Sequence, residues 1–449
     1  MTRTELLGKH FTCICGREHE VPTRAIVIAK DAIERVAEIC QRYELTDSCN
    51  LIADEVTYEV CGRAVENHLR ANGYRVHSVV LQLPVKADDA TCAQLLSHAN
   101  CNLNFWIAVG SGTINDLTKY ASTQLTQRYV AVATAPSMNG YTSAIAALTV
   151  CGLKKTLPAN PPIAVIADLN VLCNAPYELI AAGLGDVMSK PVSNADWQLA
   201  HIIRGEHLCT VSLKLLHELE PLYFNNATAL AQRAPEAIAN LMEALCYSGI
   251  SMTIAGSSSP ASGGEHLIGH TLDMRAPIVG RALNLHGAQV GVATIFCATL
   301  YERLLQLDVA QVDVERLVQR YVPLDEWMPK LRTFFGHTAR VVFDELAVKY
   351  PKSPSEYRDE LMRIVSKWDE IRHAIASVYR TPYEIREALK RACAPTTAAE
   401  LGISNEEFRE TVLYAHTMRR RYTVLDVAYE LGILPDELDD LLMRSGVIV

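Results

Sequence analysis

Between residues 21 and about 177, short and almost continuously apolar β-rich runs alternate with helical segments, and this alternation limits the fold more than any other feature. The runs are Asn50–Ala53, Arg75–Gln82, Phe105–Val109, Tyr129–Val132 and Ile163–Ile166. Strands with so few polar positions are covered on both faces, as in a parallel sheet flanked by helices. Helical spacing over Asp31–Cys40, Ala90–His98 and Asn115–Leu125 supplies the crossovers. After Pro176 the pattern becomes helical throughout, with long periodicities over Glu178–Lys190, Asp196–Glu218, Pro235–Met252 and Pro354–Tyr379. The expected fold is an α/β Rossmann-like N-terminal lobe, residues 1–177, followed by an all-helical C-terminal lobe, residues 178–449. The expected active site lies in the cleft between them, where small-molecule sites commonly form.

Charge narrows the partners. Lysine and arginine total 42 against 51 aspartates and glutamates, a net charge of −9, and no dense basic stretch provides a nucleic-acid footprint. The N-terminus lacks a signal-peptide core, and no long uncharged apolar run marks a membrane span. The thirteen cysteines are odd in number and lie mostly in apolar contexts, as free thiols of a reducing, cytoplasmic compartment do. Cys13, Cys15 and His19 sit within one short loop, but three ligands fall short of the four that structural zinc takes, so the cluster reads as a packed turn.

Two loops read either as anion-binding turns or as ordinary tight turns. The run Phe105–Val109 leads into Gly110, Ser111, Gly112, Thr113 and Ile114 and then a helix, where glycine lets the backbone approach an anion and the helix N-terminus offers unpaired N–H groups. Asn115 replaces the third glycine of the usual dinucleotide fingerprint. The second loop, from Thr134 through Pro136, Ser137 and Asn139 to Ser143, offers small hydroxyl and amide groups. Gln82 and Leu83 stand where an acidic ribose ligand is expected, which leaves NAD against NADP open. Lys154 and Lys155 read as a loop pair, either solvated or anchoring a phosphate.

Farther on, Asp186 lies in a small-residue turn, and His266, His270 and His286 lie in glycine-rich or apolar surroundings. His266 and His270, four residues apart, share a helix face. The zincin pattern is absent, because Leu267 follows His266. An aspartate with two histidines nonetheless suffices for a metal with an open position.

Taken together, Gly110–Lys119, Thr134–Gly140, Gly183–Asp186, Gly264–His270 and Leu285–Gly291 resemble the sn-glycerol-1-phosphate dehydrogenase family, in particular its bacterial AraM-like branch. That family stands with glycerol dehydrogenases, iron-containing alcohol dehydrogenases and dehydroquinate synthases. The resemblance implies a homodimeric oxidoreductase that interconverts dihydroxyacetone phosphate and sn-glycerol 1-phosphate with NAD or NADP and one divalent metal, zinc foremost, with nickel or iron as alternatives. It implies that Gly110, Ser111, Gly112, Thr113 and Ile114 line the pyrophosphate and that Thr134, Ser137 and Ser143 contact the nicotinamide half. Asp186, His266 and His286 would ligate the metal, and His270 would face the substrate. Asn139 departs from the family, which usually has aspartate at that substrate-contacting position. Three alternatives remain: a polyol dehydrogenase, a dehydroquinate synthase-like cyclase and a cofactor-binding protein without catalysis.

Overall fold

The structure, a computed structural model, describes residues 2–150 and 153–448. Among the described residues ten strands occur: β1 His10–Thr12, β2 Glu18–Glu20, β3 Ala25–Ala29, β4 Ser48–Asp54, β5 Arg75–Leu81, β6 Phe105–Gly110, β7 Arg128–Ala133, β8 Ile145–Val150, β9 Leu153–Pro158 and β10 Ala164–Asp168. Six of them form one parallel sheet in the order β3-β10-β7-β6-β4-β5. The expected parallel α/β arrangement and helical second half are both present. From β4 the chain crosses outward to β5, then returns past β4 to β6 and continues to β7. The crossover direction therefore reverses between β4 and β6, and doubly wound sheets bind ligands at such a reversal, beyond the carboxyl ends of the strands.

Two compact units are present, one of residues 1–187 and 209–258, the other of residues 188–208 and 259–449. In the first, the central strands are buried along almost their whole length. Val36, Ile39, Val65 and Leu69 from two helices pack on Leu51, Phe105 and Ile107 of the sheet. Helix Pro235–Ala255 is long and apolar enough to cross a membrane, but 78% of its apolar window is buried inside the fold, where it packs on helix Thr210–Phe224. Its apolarity thus belongs to the core of this unit.

The second unit is built of helices, with a cluster of Trp327, Leu331, Phe334, Phe335, Val342 and Leu346. The long periodicity over Asp196–Glu218 is two helices, Lys190–Arg204 and Thr210–Phe224, because Gly205 ends the first in a left-handed conformation, φ +69°. The periodicity over Pro354–Tyr379 likewise breaks at Lys367. Lys154 and Lys155 lie on β9 of an antiparallel hairpin with β8, not on a loop. Cys151 and Gly152 lie outside the described residues.

Candidate active site

In the first unit β6 ends at Gly110, and helix Gly112–Gln124 begins two residues later, at the reversal of the sheet. A Cβ on Gly110 would stand 2.5 Å from the Ile114 side chain, so only glycine lets the helix start this close to the strand. Ser111 caps the helix without a side-chain hydrogen bond. The N–H groups of its first turn therefore point out with the positive end of the helix dipole, as an anion requires. Ser111, Gly112 and Thr113 are half-buried, whereas Ile114 is in the core. Asn115, at the missing glycine position, is buried, and its side chain accepts a hydrogen bond from the Tyr129 hydroxyl at 3.2 Å.

The second loop is braced from beneath. The Thr134 N–H donates to the Gly110 carbonyl at 3.2 Å, which holds the two loops side by side. Lys119 is fully buried, and its Nζ donates to the Gly140 carbonyl at 2.5 Å, the Ile145 carbonyl at 3.0 Å and the Ser143 hydroxyl at 3.3 Å. Burial pulls the Lys119 amine down to about 8, against the opposing effect of Asp116 3.7 Å away. Ser143 is itself buried, with its hydroxyl in reach of the Gly140 and Ile145 carbonyls. Ser137 is half-buried and Thr134 nearly fully so. Sequence reading missed the role of Lys119, because a lysine on a helix is ordinarily solvated and nothing local shows that a loop twenty residues on closes over it.

Asp186 lies on helix Tyr177–Met188 and is 1% exposed. Asn139 holds it from both sides, with its backbone N–H donating to Oδ2 at 3.0 Å and its side-chain Nδ2 to Oδ1 at 2.7 Å. Gly183, one turn earlier, makes this possible, since a Cβ there would fall 1.8 Å from the Pro136 carbonyl oxygen. Gly183→Ala is therefore expected to force the helix off the loop and cost about 2–3 kcal/mol in chemical denaturation. An unchanged midpoint and slope would show that the contact is absent.

In the second unit, helix Gly264–Val279 carries His266 and His270, and His286 opens helix His286–Leu305. The three rings gather: their centroids are 5.1 Å apart for His266–His286, 6.1 Å for His266–His270 and 4.9 Å for the stacked pair His270–His286. His266 Nδ1 lies 2.7 Å from the Glu265 carboxylate. Such a carboxylate behind an imidazole fixes the tautomer and leaves Nε2 to face a metal. Glu265 is completely buried, takes the Gly263 N–H at 2.7 Å and is pushed up to about 7 by burial. Asp196 is buried nearby; burial first and then the Glu265 charge raise it to about 8. It accepts from the Gly264 N–H at 2.7 Å, the Val424 N–H at 2.6 Å and the Tyr301 hydroxyl. Val424 belongs to the C-terminal helices, which carry no motif, so the tail supports the wall behind the histidines. Asp273 was also missed: donor atoms of His270, Asp273 and His286 all lie within 4.8 Å of one another.

The residues fit a divalent cation, since imidazoles converge with one already oriented by a buried carboxylate, and they fit a dinucleotide, since a bare helix N-terminus stands at the sheet reversal.

Residues 27–176 match the iron-containing alcohol dehydrogenase family. A glycerol-1-phosphate dehydrogenase [NAD(P)+] of Geobacillus stearothermophilus is 31% identical over 437 residues, covering 96% of this chain and 98% of that protein. The enzyme of the same name from Bacillus licheniformis is 28% identical over 428 residues, covering 94% and 93%. Among solved structures, glycerol dehydrogenase from Schizosaccharomyces pombe aligns with a TM-score of 0.59 at 16% identity, covering 94% of this chain and 92% of that one.

Proposed function

The chain belongs to the glycerol-1-phosphate dehydrogenase family, and we propose that it reduces dihydroxyacetone phosphate to sn-glycerol 1-phosphate, and the reverse, with NAD(P) and one divalent metal. The observation that carries this reading is the identity of 31% sustained over 96% of the chain to a relative so named.

Ser111, Gly112 and Thr113 are assigned to the cofactor pyrophosphate, with Gly110 and Ile114 shaping the turn beneath it. Thr134 and Ser137 are assigned to the nicotinamide side, and Ser143 braces that loop together with Lys119. A nicotinamide cofactor held by these residues would supply the hydride chemistry of the reaction. Asp186, His266 and His286 are assigned as metal ligands, zinc foremost. A metal so held supplies Lewis acidity to the substrate oxygen. Glu265 orients His266, and Asn139 fixes the direction of both Asp186 oxygens. His270 is placed to orient the substrate hydroxyl or relay its proton, an imidazole being suited to proton transfer near neutral pH. Residues 1–177 would thus serve the dinucleotide and residues 178–449 the metal and substrate, in a cytoplasmic homodimer.

The strand order also relocates the search for a ribose ligand. Gln82 and Leu83 follow β5 at the sheet edge, whereas β4 is the direct neighbour of β6 and ends at Asp54. Asp54 caps the next turn by accepting from the Thr57 N–H at 2.7 Å. A carboxylate there favours a ribose diol and opposes a 2′-phosphate. Asp54→Asn keeps the cap and removes the charge. It is expected to shift the ratio of kcat/KM for NADPH over NADH upward by about tenfold, or about 1.4 kcal/mol. An unchanged ratio would remove Asp54 from the cofactor site.

The function is tested by following NADH consumption with metal supplied, using dihydroxyacetone phosphate and dihydroxyacetone side by side. Turnover of the phosphate ester alone is expected. Turnover of dihydroxyacetone alone would mark a polyol dehydrogenase, and turnover of neither would sink the dehydrogenase reading.

A further inference from the structure

The sequence counted three ligand-type residues in the N-terminal loop, and the fold brings a fourth. Sγ of Cys13, Cys15 and Cys209 and a ring nitrogen of His19 all lie within 4.8 Å of one another. All four belong to the first unit. Cys13 and Cys15 sit on the turn between β1 and β2, and His19 is on β2 opposite Phe11. Cys209 is the residue at which helix Thr210–Phe224 begins.

From these positions we infer that the protein binds a structural zinc ion through Cys13, Cys15, His19 and Cys209, apart from the dehydrogenase site. Two of the spacings match the edges of a tetrahedron. Zinc–sulfur and zinc–nitrogen bonds of about 2.3 and 2.05 Å put two sulfurs about 3.8 Å apart and sulfur and nitrogen about 3.6 Å apart. Cys13 and Cys209 Sγ are 3.8 Å apart, and Cys209 Sγ is 3.6 Å from His19 Nε2. The Cys15 Sγ to His19 Nε2 edge is shorter, at 3.1 Å. A disulfide would need sulfurs at about 2.05 Å.

The turn is shaped for this use. The Gly16 N–H donates to the Cys13 carbonyl at 2.9 Å and Gly16 adopts φ +82°, which lifts Cys15 back toward Cys13. The Cys15 N–H points at Cys13 Sγ at 3.5 Å, the kind of donor that stabilises a thiolate. Cys13, His19 and Cys209 are buried, whereas Ile14 at the tip is 90% exposed, so the buried members gather for a reason other than covering the turn. Binding exchanges three thiol protons for one zinc ion and leaves neutral His19 as the fourth donor, a complex of net charge −1. Four protein ligands leave no open position, so the site holds structure rather than substrate. It would pin the hairpin to a helix almost two hundred residues away in sequence, a constraint that mainly limits the unfolded chain.

The test uses full-length protein equilibrated with excess zinc, desalted and analysed for bound metal, then reloaded with cobalt(II). A cobalt–thiolate charge-transfer band is expected, and it reports this site alone because the proposed catalytic ligands contain no sulfur. Cys209→Ser is expected to lose the band and one zinc equivalent per chain and to lower Tm, whereas His286→Ala keeps the band. Cys15→Ser, on the half-exposed side, gives the same reading should Cys209→Ser not fold. No cobalt–thiolate band in wild-type protein, or a Cys13–Cys209 disulfide in non-reduced peptide maps, would overturn the inference. None of these readouts depends on dehydrogenase turnover.

Discussion

His266→Ala is expected to lower kcat/KM for dihydroxyacetone phosphate by about a thousandfold and to reduce the catalytic metal content in parallel. The magnitude follows from the several kcal/mol that a Lewis acid contributes to a developing oxyanion, with about 1.4 kcal/mol for each factor of ten. Asp186→Ala and His286→Ala are expected to match it, whereas Asp273→Ala is expected to retain the metal. This comparison decides between the proposed ligand set and a second one. The first has His266 oriented by buried Glu265 at 2.7 Å; the second has His270, Asp273 and His286 within 4.8 Å of one another. Should Asp273→Ala lose the metal while His266→Ala keeps it, the second set is the correct one. Glu265→Gln provides an intermediate case, with metal affinity falling about 10- to 100-fold because the ring loses its orienting partner.

The second large effect is expected at Asn139. Replacing it by aspartate sets a carboxylate where Nδ2 now donates to Asp186 Oδ1 at 2.7 Å. Without metal, two anions at that separation cost roughly 2–4 kcal/mol, or one of them takes up a proton. The folded pair then has a raised pKa, so stability is intact below the unfolded carboxylate value, about 4, and falls as pH rises through the raised value. Thermal unfolding of Asn139→Asp in chelator should show a Tm that drops more steeply between acid and neutral pH than that of wild type, whose own raised carboxylates Asp196 and Glu265 are common to both. Added divalent metal should recover most of the loss. A Tm equal to wild type in chelator at neutral pH would mean that Asn139 does not hold Asp186. The structure thereby gives a reason for asparagine at this position: its side-chain amide donates to Asp186, where a second carboxylate has no proton to give unless one of the pair is protonated.

Some features were legible because they depend only on local chemistry. The apolar runs that became β4, β6, β7 and β10 are buried on both faces, so their pattern needed no tertiary knowledge. Gly110 through Ile114 read correctly as a strand-to-helix turn because glycine is required wherever backbone and side chain crowd this closely. His266 and His270 share a helix as their spacing required. By contrast, the predicted helix over Asp196–Glu218 failed at Gly205, since apolar periodicity continues across a left-handed residue that ends the helix.

What the sequence determined by itself was the class of fold, the strand-to-helix turn at Gly110 and the residue types available for chemistry, because each follows from periodicity or from one residue's backbone and side-chain properties. Tertiary structure alone decided which distant residues meet. It buried Lys119 beneath the 134–145 loop, set Asn139 on Asp186, and carried Cys209 to Cys13, Cys15 and His19. Contacts between residues dozens to hundreds of positions apart leave no local period to read, because they are fixed by how helices and strands pack, and packing depends on the whole chain at once.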